Sequence, residues 1–162
     1  MAFSPRDPAQ QHSLLGRCLE LASQAPKTGD VPVGALVVDP EGRLLGEGFN
    51  TRERDDDPSG HAEVNALRAA ARTRGTWRLD GCVLAVTLEP CPMCAGAISQ
   101  ARIAQVIFGA WDEKAGAAGS VFDVLREPRL NHWVEVHPGV RAEECAAQLR
   151  EFFERFRSGD SR

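Results

Sequence analysis

The sequence predicts an α/β domain of three layers, α/β/α, with helices on both faces of a mixed five-stranded sheet. Three observations predict it. Short apolar runs alternate with stretches of helical periodicity, in the order α-β-β-α-β-α-β-α-β-α. The first two strand-like runs are joined by a tight turn, which makes them an antiparallel hairpin, whereas the later β-α-β units require parallel pairing. The chain has 162 residues, 43% of them apolar, enough for one core. Residues 1–162 are therefore read as a single domain, with residues 1–8 lacking fixed structure and 141–157 forming a C-terminal helix.

Each element has a local cause. Ser4 to Asp7 precede a helical pattern that places Leu14, Leu15, Cys18, Leu19 and Ala22 on one face, and Pro26 to Asp30 break it. Val33 to Val38 reads as a buried strand, Asp39-Pro40-Glu41-Gly42 as a turn, and Leu44 to Phe49 as the returning strand. Thr51 to Gly60 is a polar loop carrying Asp55, Asp56 and Asp57. A helix follows over His61 to Thr73, an apolar strand over Cys82 to Leu88, and a helix over Pro90 to Ala101. Val106 to Phe108 is a short strand. Gly109 to Ser120 is rich in glycine and alanine and reads as loop, Trp133 to Val136 as a last strand, and Ala142 to Arg157 as a long amphipathic helix.

Composition sets limits on function. The net charge of −4 is not that of a protein binding nucleic acid through its overall field. Only Lys27 and Lys114 are lysines; the other basic residues are arginines. No apolar run reaches the roughly 20 residues that span a bilayer, and residues 1–10 carry no signal-peptide pattern, so a cytoplasmic location without membrane attachment is expected. Five cysteines, an odd number, argue against a disulfide framework. Cys18, Cys82 and Cys145 sit singly in apolar stretches and read as buried thiols. His12, His132 and His137 read as structural or exposed.

Two short segments carry the chemistry: His61-Ala62-Glu63 and Pro90-Cys91-Pro92-Met93-Cys94. Each is a weak signal alone, and together, each at the start of a predicted helix, they are strong. Cys91 and Cys94 are three apart and share one helix face, where the helix dipole favours thiolates. His61 supplies a third nitrogen or sulfur ligand of the kind zinc prefers, and no fourth Cys or His lies at matching spacing, which leaves a position for water. Two thiolates cancel the formal charge of Zn²⁺, so its water needs a proton acceptor nearby. Glu63 is close enough to serve as that acceptor without binding the metal.

The pattern His-x-Glu…Pro-Cys-x-x-Cys is similar to the signature of zinc-dependent nucleobase deaminases. From about Leu19 to Phe156 the chain resembles the bacterial tRNA-specific adenosine deaminases of the cytidine-deaminase-like superfamily. The resemblance is carried by Val31-Pro32-Val33-Gly34-Ala35, Gly48-Phe49-Asn50, His61 to Leu67 and Thr87 to Ala97. More discriminating are Phe108-Gly109-Ala110, Asp112, Lys114 to Ala117 and Gly119-Ser120, followed by Leu130-Asn131-His132 and Phe152-Phe153. It implies a cytidine-deaminase-like fold with one zinc per subunit, and a homodimer acting on the wobble adenosine of a tRNA anticodon stem-loop to give inosine. It further implies that Asn50 meets the purine edge, that Ala62 offers a backbone N–H, and that Asp112 and Lys114 lie beside the substrate. Arg155 and Arg157 would help hold RNA from the tail helix, with Arg52 adding to a local basic patch. Gly60 stands where many relatives have alanine, and Asp55 to Asp57 set acidic charge near the expected mouth.

Two other functions share parts of this pattern. A free nucleobase deaminase, acting on guanine or cytosine, would use the same zinc and Glu63 without a basic mouth. A non-catalytic RNA-binding subunit would keep the zinc for structure alone, and the presence of Glu63 argues against it.

Overall fold

The computed structural model describes residues 2–159. Its elements are α1 (Pro8–Ala22), a 3-10 turn (Ala25–Thr28), β1 (Gly34–Val38), β2 (Leu44–Phe49), α2 (Ala62–Arg74), β3 (Val83–Leu88), α3 (Pro92–Gln100), β4 (Gln105–Ala110), β5 (Glu135–His137) and α4 (Ala142–Arg157). The five strands form one sheet in the order β2-β1-β3-β4-β5. β1 pairs antiparallel with both β2 and β3, while β3–β4 and β4–β5 are parallel. The sheet is mixed, as the sequence predicts. Among the described residues no helix is long and apolar enough to cross a membrane.

Strand side chains alternate between faces, and the alternation divides the apolar residues into two cores. Ala35 and Val37 of β1, Leu84 and Val86 of β3, and Val106 and Phe108 of β4 pack with Ala66, Ala70 and Ile98 from α2 and α3. Leu36, Val38, Val83, Ala85 and Ile107 point the other way, against Leu15, Cys18 and Leu21 of α1 and Cys145 of α4. This partition makes the three layers. On the first face α2 lies directly on β2: a Cβ on Gly48 would stand 2.6 Å from the Ala62 carbonyl oxygen and 2.7 Å from the Ala66 nitrogen. Only a residue without a side chain lets the helix backbone come so close to the strand.

The structure corrects the sequence reading in three places. The predicted order holds one helix too many, because the chain between β4 and β5 forms turns and an isolated bridge between Ala118 and Asp123. Several backbone N–H groups of that segment bond to side chains rather than to a helical ladder, and Gly119 adopts φ 129°, outside any helix. The N-terminal segment, expected to lack fixed structure, is ordered over residues 2–7: Asp7 caps α1 by accepting from the Ala9 N–H at 3.0 Å. Arg6 forms two 3.0 Å bonds with Glu135, and Phe3 packs beside Leu14 against the second core. Met1, which that expectation also covers, lies outside the described residues. Finally, the helix read from Pro90 starts at Pro92, and the one read from His61 starts at Ala62, so His61 and Cys91 are cap residues.

Candidate active site

Helices α2 and α3 bring their N-terminal ends together. His61 and Cys91 each occupy the cap position of their helix in extended backbone, and neither side chain caps its own helix. Both side chains are thereby released toward the space between the helix ends. Pro92 takes the first helical position, where its missing N–H costs nothing. Cys94, one turn into α3, is buried.

A tetrahedral zinc with Zn–N near 2.05 Å and Zn–S near 2.3 Å sets its nitrogen and sulfur ligands about 3.6 Å apart. His61 Nδ1 is 3.6 Å from Cys91 Sγ and 3.5 Å from Cys94 Sγ. All three donor atoms lie within 4.8 Å of one another. The donor set therefore fits zinc, with three protein ligands and room for a fourth. The electrostatics favour a thiolate at Cys91. A hydrogen bond from Cys94, then one from His61, holds the Cys91 thiol down to about 4, while His61 is raised by its bond to Cys91. Cys94 is pushed up by its bond to Cys91 and by burial. Cys145, away from this cluster, is pushed up to about 11 by burial and is inert.

Glu63 is 4% exposed at the start of α2. Burial pushes its carboxyl up to about 7. A carboxyl poised near neutrality can both take and give a proton, the requirement for general acid–base work at physiological pH.

These groups open on a cavity of about 190 Å³. Its lining is His61, Ala62, Glu63 and Cys91 together with Val31, Val33, Asn50, Arg52, Leu88, Glu89, Asp112 and Ala115. Asn50 is held by two backbone partners, donating from Nδ2 to the Val31 carbonyl at 3.2 Å and accepting at Oδ1 from the Arg52 N–H at 3.1 Å. One amide hydrogen and one lone pair remain for a ligand. Ala62 is the first residue of α2, where a backbone N–H has no partner within the helix.

The structure thus gathers Asn50, Ala62, Asp112, His61, Glu63 and Cys91 around one cavity, with Cys94 behind. It does not bring Lys114, Arg155 or Arg157 there. Lys114 is exposed on the loop beside Asp112, Arg155 pairs with Glu151 along a cleft between α4 and Ser23, Pro26 and Pro32, and Arg157 Nε donates to the Phe153 carbonyl. What α4 presents beside the site is aromatic: Phe152, Phe153 and Phe156 line a smaller cavity of about 150 Å³ that shares Val31, Asn50 and Arg52 with the first. The acidic loop is partly neutralised, Asp55 by Arg54 and Asp57 by Arg68.

Two buried carboxylates escape a reading of the sequence. Asp30 accepts from the N–H groups of Glu53 and Arg54 at 2.6 and 3.1 Å, and Glu89 accepts from those of Asp112, Ala118 and Ser120 at 3.0, 2.9 and 3.1 Å. Each fixes one of the two loops that border the cavity.

Residues 8–110 match the family model of the cytidine and deoxycytidylate deaminase zinc-binding region. Fold and site together define a zinc-dependent deaminase. The chain is 48% identical over 139 residues to the tRNA-specific adenosine deaminase of Haemophilus influenzae, an alignment covering 86% of this chain and 80% of that protein. A solved structure from work on A-to-I editing by tRNA:A34 deaminases at the wobble position of transfer RNA superposes with a TM-score of 0.81. It is 37% identical and matches 85% of this chain and 99% of that one. The chain belongs to the tRNA-specific adenosine deaminase family. It is also 48% identical over 152 residues to the tRNA(Ile)-lysidine synthase of Deinococcus radiodurans; the alignment covers 92% of this chain but spans a quarter, 25%, of that relative's length.

Proposed function

We propose that this enzyme hydrolyses the 6-amino group of the wobble adenosine in a tRNA anticodon stem-loop, giving inosine and ammonia. The observation that carries the reading is that Glu63 and the His61, Cys91 and Cys94 donors meet at a cavity also lined by Asn50 and Asp112. At about 190 Å³ the cavity is smaller than the roughly 300–1,000 Å³ of pockets for drug-sized ligands, and suits one extruded base.

His61, Cys91 and Cys94 would hold the zinc, which when bound supplies a Lewis acid that makes water nucleophilic at neutral pH. Glu63 takes one proton from water as its oxygen bonds to C6 and passes it to the neighbouring ring nitrogen; it then moves the second proton from that oxygen to the amino group, so that the C6–N bond breaks, ammonia leaves and a carbonyl forms at C6. Asn50 and the Ala62 N–H orient the purine, and Asp112 borders the nucleoside. A pyrimidine would leave the remaining amide valences of Asn50 unpaired, which disfavours it. Lys114, Arg155 and Arg157 contact RNA outside the cavity, giving affinity rather than selection. The resemblance supports a homodimer working in the cytoplasm, where its tRNA substrate is.

The test is a side-by-side assay of zinc-loaded protein on an anticodon stem-loop with adenosine at the wobble position, on free guanine and on cytidine, read by product mass. Inosine formed in the RNA supports the proposal. Turnover of guanine or cytidine with inert RNA assigns the same chemistry to a free base.

A further inference from the structure

Glu89 is 2% exposed at the end of β3, two residues before Cys91. Among the described residues its carboxylate meets no arginine or lysine. Its partners are backbone N–H groups from one loop: Asp112 on Oε1, and Ala118 and Ser120 on Oε2. The loop is drawn tight around it. Gly116 lies so close that a Cβ there would run into the Glu89 carboxylate and Ser120 Oγ, and the Ser120 hydroxyl and the Gly116 N–H both donate to the Asp112 carbonyl, at 2.8 and 2.9 Å. Asp112 and Ala115, held this way, form part of the cavity wall, and Glu89 borders the same cavity with both its oxygens already engaged by the loop. The zinc donors and Glu63 stand on the ends of α2 and α3. The loop reaches that side through its far end, where the Ala117 N–H donates to the Pro90 carbonyl at 2.7 Å.

We infer that Glu89 is a positioning residue for substrate selection: it carries no part of the chemistry but fixes Asp112 against the base and thereby sets affinity for the RNA. This rests on the tRNA reading for its substrate. The physical reason is specific. A carboxylate can accept on both oxygens, whereas the isosteric amide accepts on one only. In Glu89→Gln the amide oxygen serves best where two N–H groups converge, at Ala118 and Ser120, which leaves the NH₂ facing the Asp112 N–H. Donor then opposes donor at the residue that borders the substrate.

The test is Glu89→Gln, with Gly116→Ala as an independent route to the same disturbance, in zinc-loaded enzyme. Two readouts are needed. Amide hydrogen exchange, which requires no substrate, should show Asp112 exchanging faster by about tenfold or more, with the core amides of β3 and β4 unchanged. Stem-loop kinetics should show KM rising by about tenfold while kcat falls by less than about threefold, the split expected when binding, not chemistry, is impaired. A lower melting temperature with Asp112 exchange and KM both unchanged overturns the inference and leaves Glu89 a purely structural residue. An equal fall in kcat and kcat/KM also overturns it. If the unmodified enzyme makes no inosine while Asp112 exchange responds as expected, the tRNA reading has failed and the loop anchor has not.

Discussion

His61 Nδ1 and Cys94 Sγ stand 3.5 Å apart, though they are 33 residues apart in the chain and belong to different helices. The register of α2 against α3 holds this distance, and with it the metal geometry. Removing a donor should therefore cost metal directly. Cys91→Ser is expected to weaken zinc binding by more than the roughly 10–100-fold that follows loss of an outer-shell partner. Elemental analysis after dialysis against a weak chelator checks it; full zinc in this variant would mean that Cys91 is not a ligand.

Glu63→Gln should keep the zinc and the fold while turnover falls by about 10²–10⁴-fold, the range of general acid–base catalysis. The amide fills the same buried space but cannot shuttle a proton. Single-turnover kinetics on the stem-loop measures the effect, and a near-normal rate would remove Glu63 from the mechanism.

Asn50→Ala removes the partner of the Val31 carbonyl and of the Arg52 N–H together with the hydrogen bonds offered to the base. A rise of about tenfold in KM is expected, alongside a drop of about 1–3 kcal/mol in stability from the stranded backbone groups. Urea unfolding and stem-loop kinetics separate the two effects. Reduced stability with KM unchanged would restrict Asn50 to scaffolding.

Gly48→Ala places a methyl group against the backbone of α2 at Ala62 and Ala66. Overpacking there should cost about 1–3 kcal/mol, seen as a lower urea midpoint at unchanged slope. Because the displaced helix carries Glu63, kcat should fall as well; unchanged kcat would show that α2 absorbs the shift without moving its first turn.

Arg155 and Arg157 are exposed and away from the cavity. Replacing both with alanine should raise KM for the stem-loop, and the salt dependence of binding should weaken by about 0.7 in log–log slope for each phosphate that these arginines neutralise. An unchanged KM across a salt series would leave them as solvated surface residues.

What the sequence reveals and what it hides follow from the range of the interactions involved. His61, Glu63, Cys91 and Cys94 are legible because helix geometry converts their spacing into a shared face at a helix start. The strands are legible because burial on both faces gives continuous apolar runs such as Cys82 to Val86. Glu89 and Asp30 are not, because the loops they anchor bond to them through backbone N–H groups far away in sequence, and any residue can supply those. The one signal is an acid at the very end of an apolar strand, between Leu88 and Pro90. The surplus helix between β4 and β5 comes from extending an alternating pattern past the point where Glu89 and the Gly119 turn govern the chain. The N-terminal segment reads as unstructured because Glu135, the partner of Arg6, lies 129 residues on.

The two clasped loops have a consequence for how this enzyme could be re-aimed. The reaction centre is bolted to helix ends, while the two loops that border the cavity are separate panels, one hung on the buried acid Asp30 and the other on Glu89. Panels can be recut without retooling the centre. A search for variants that accept a different base has its most productive ground in residues 51–60 and 111–120, with both acids left in place.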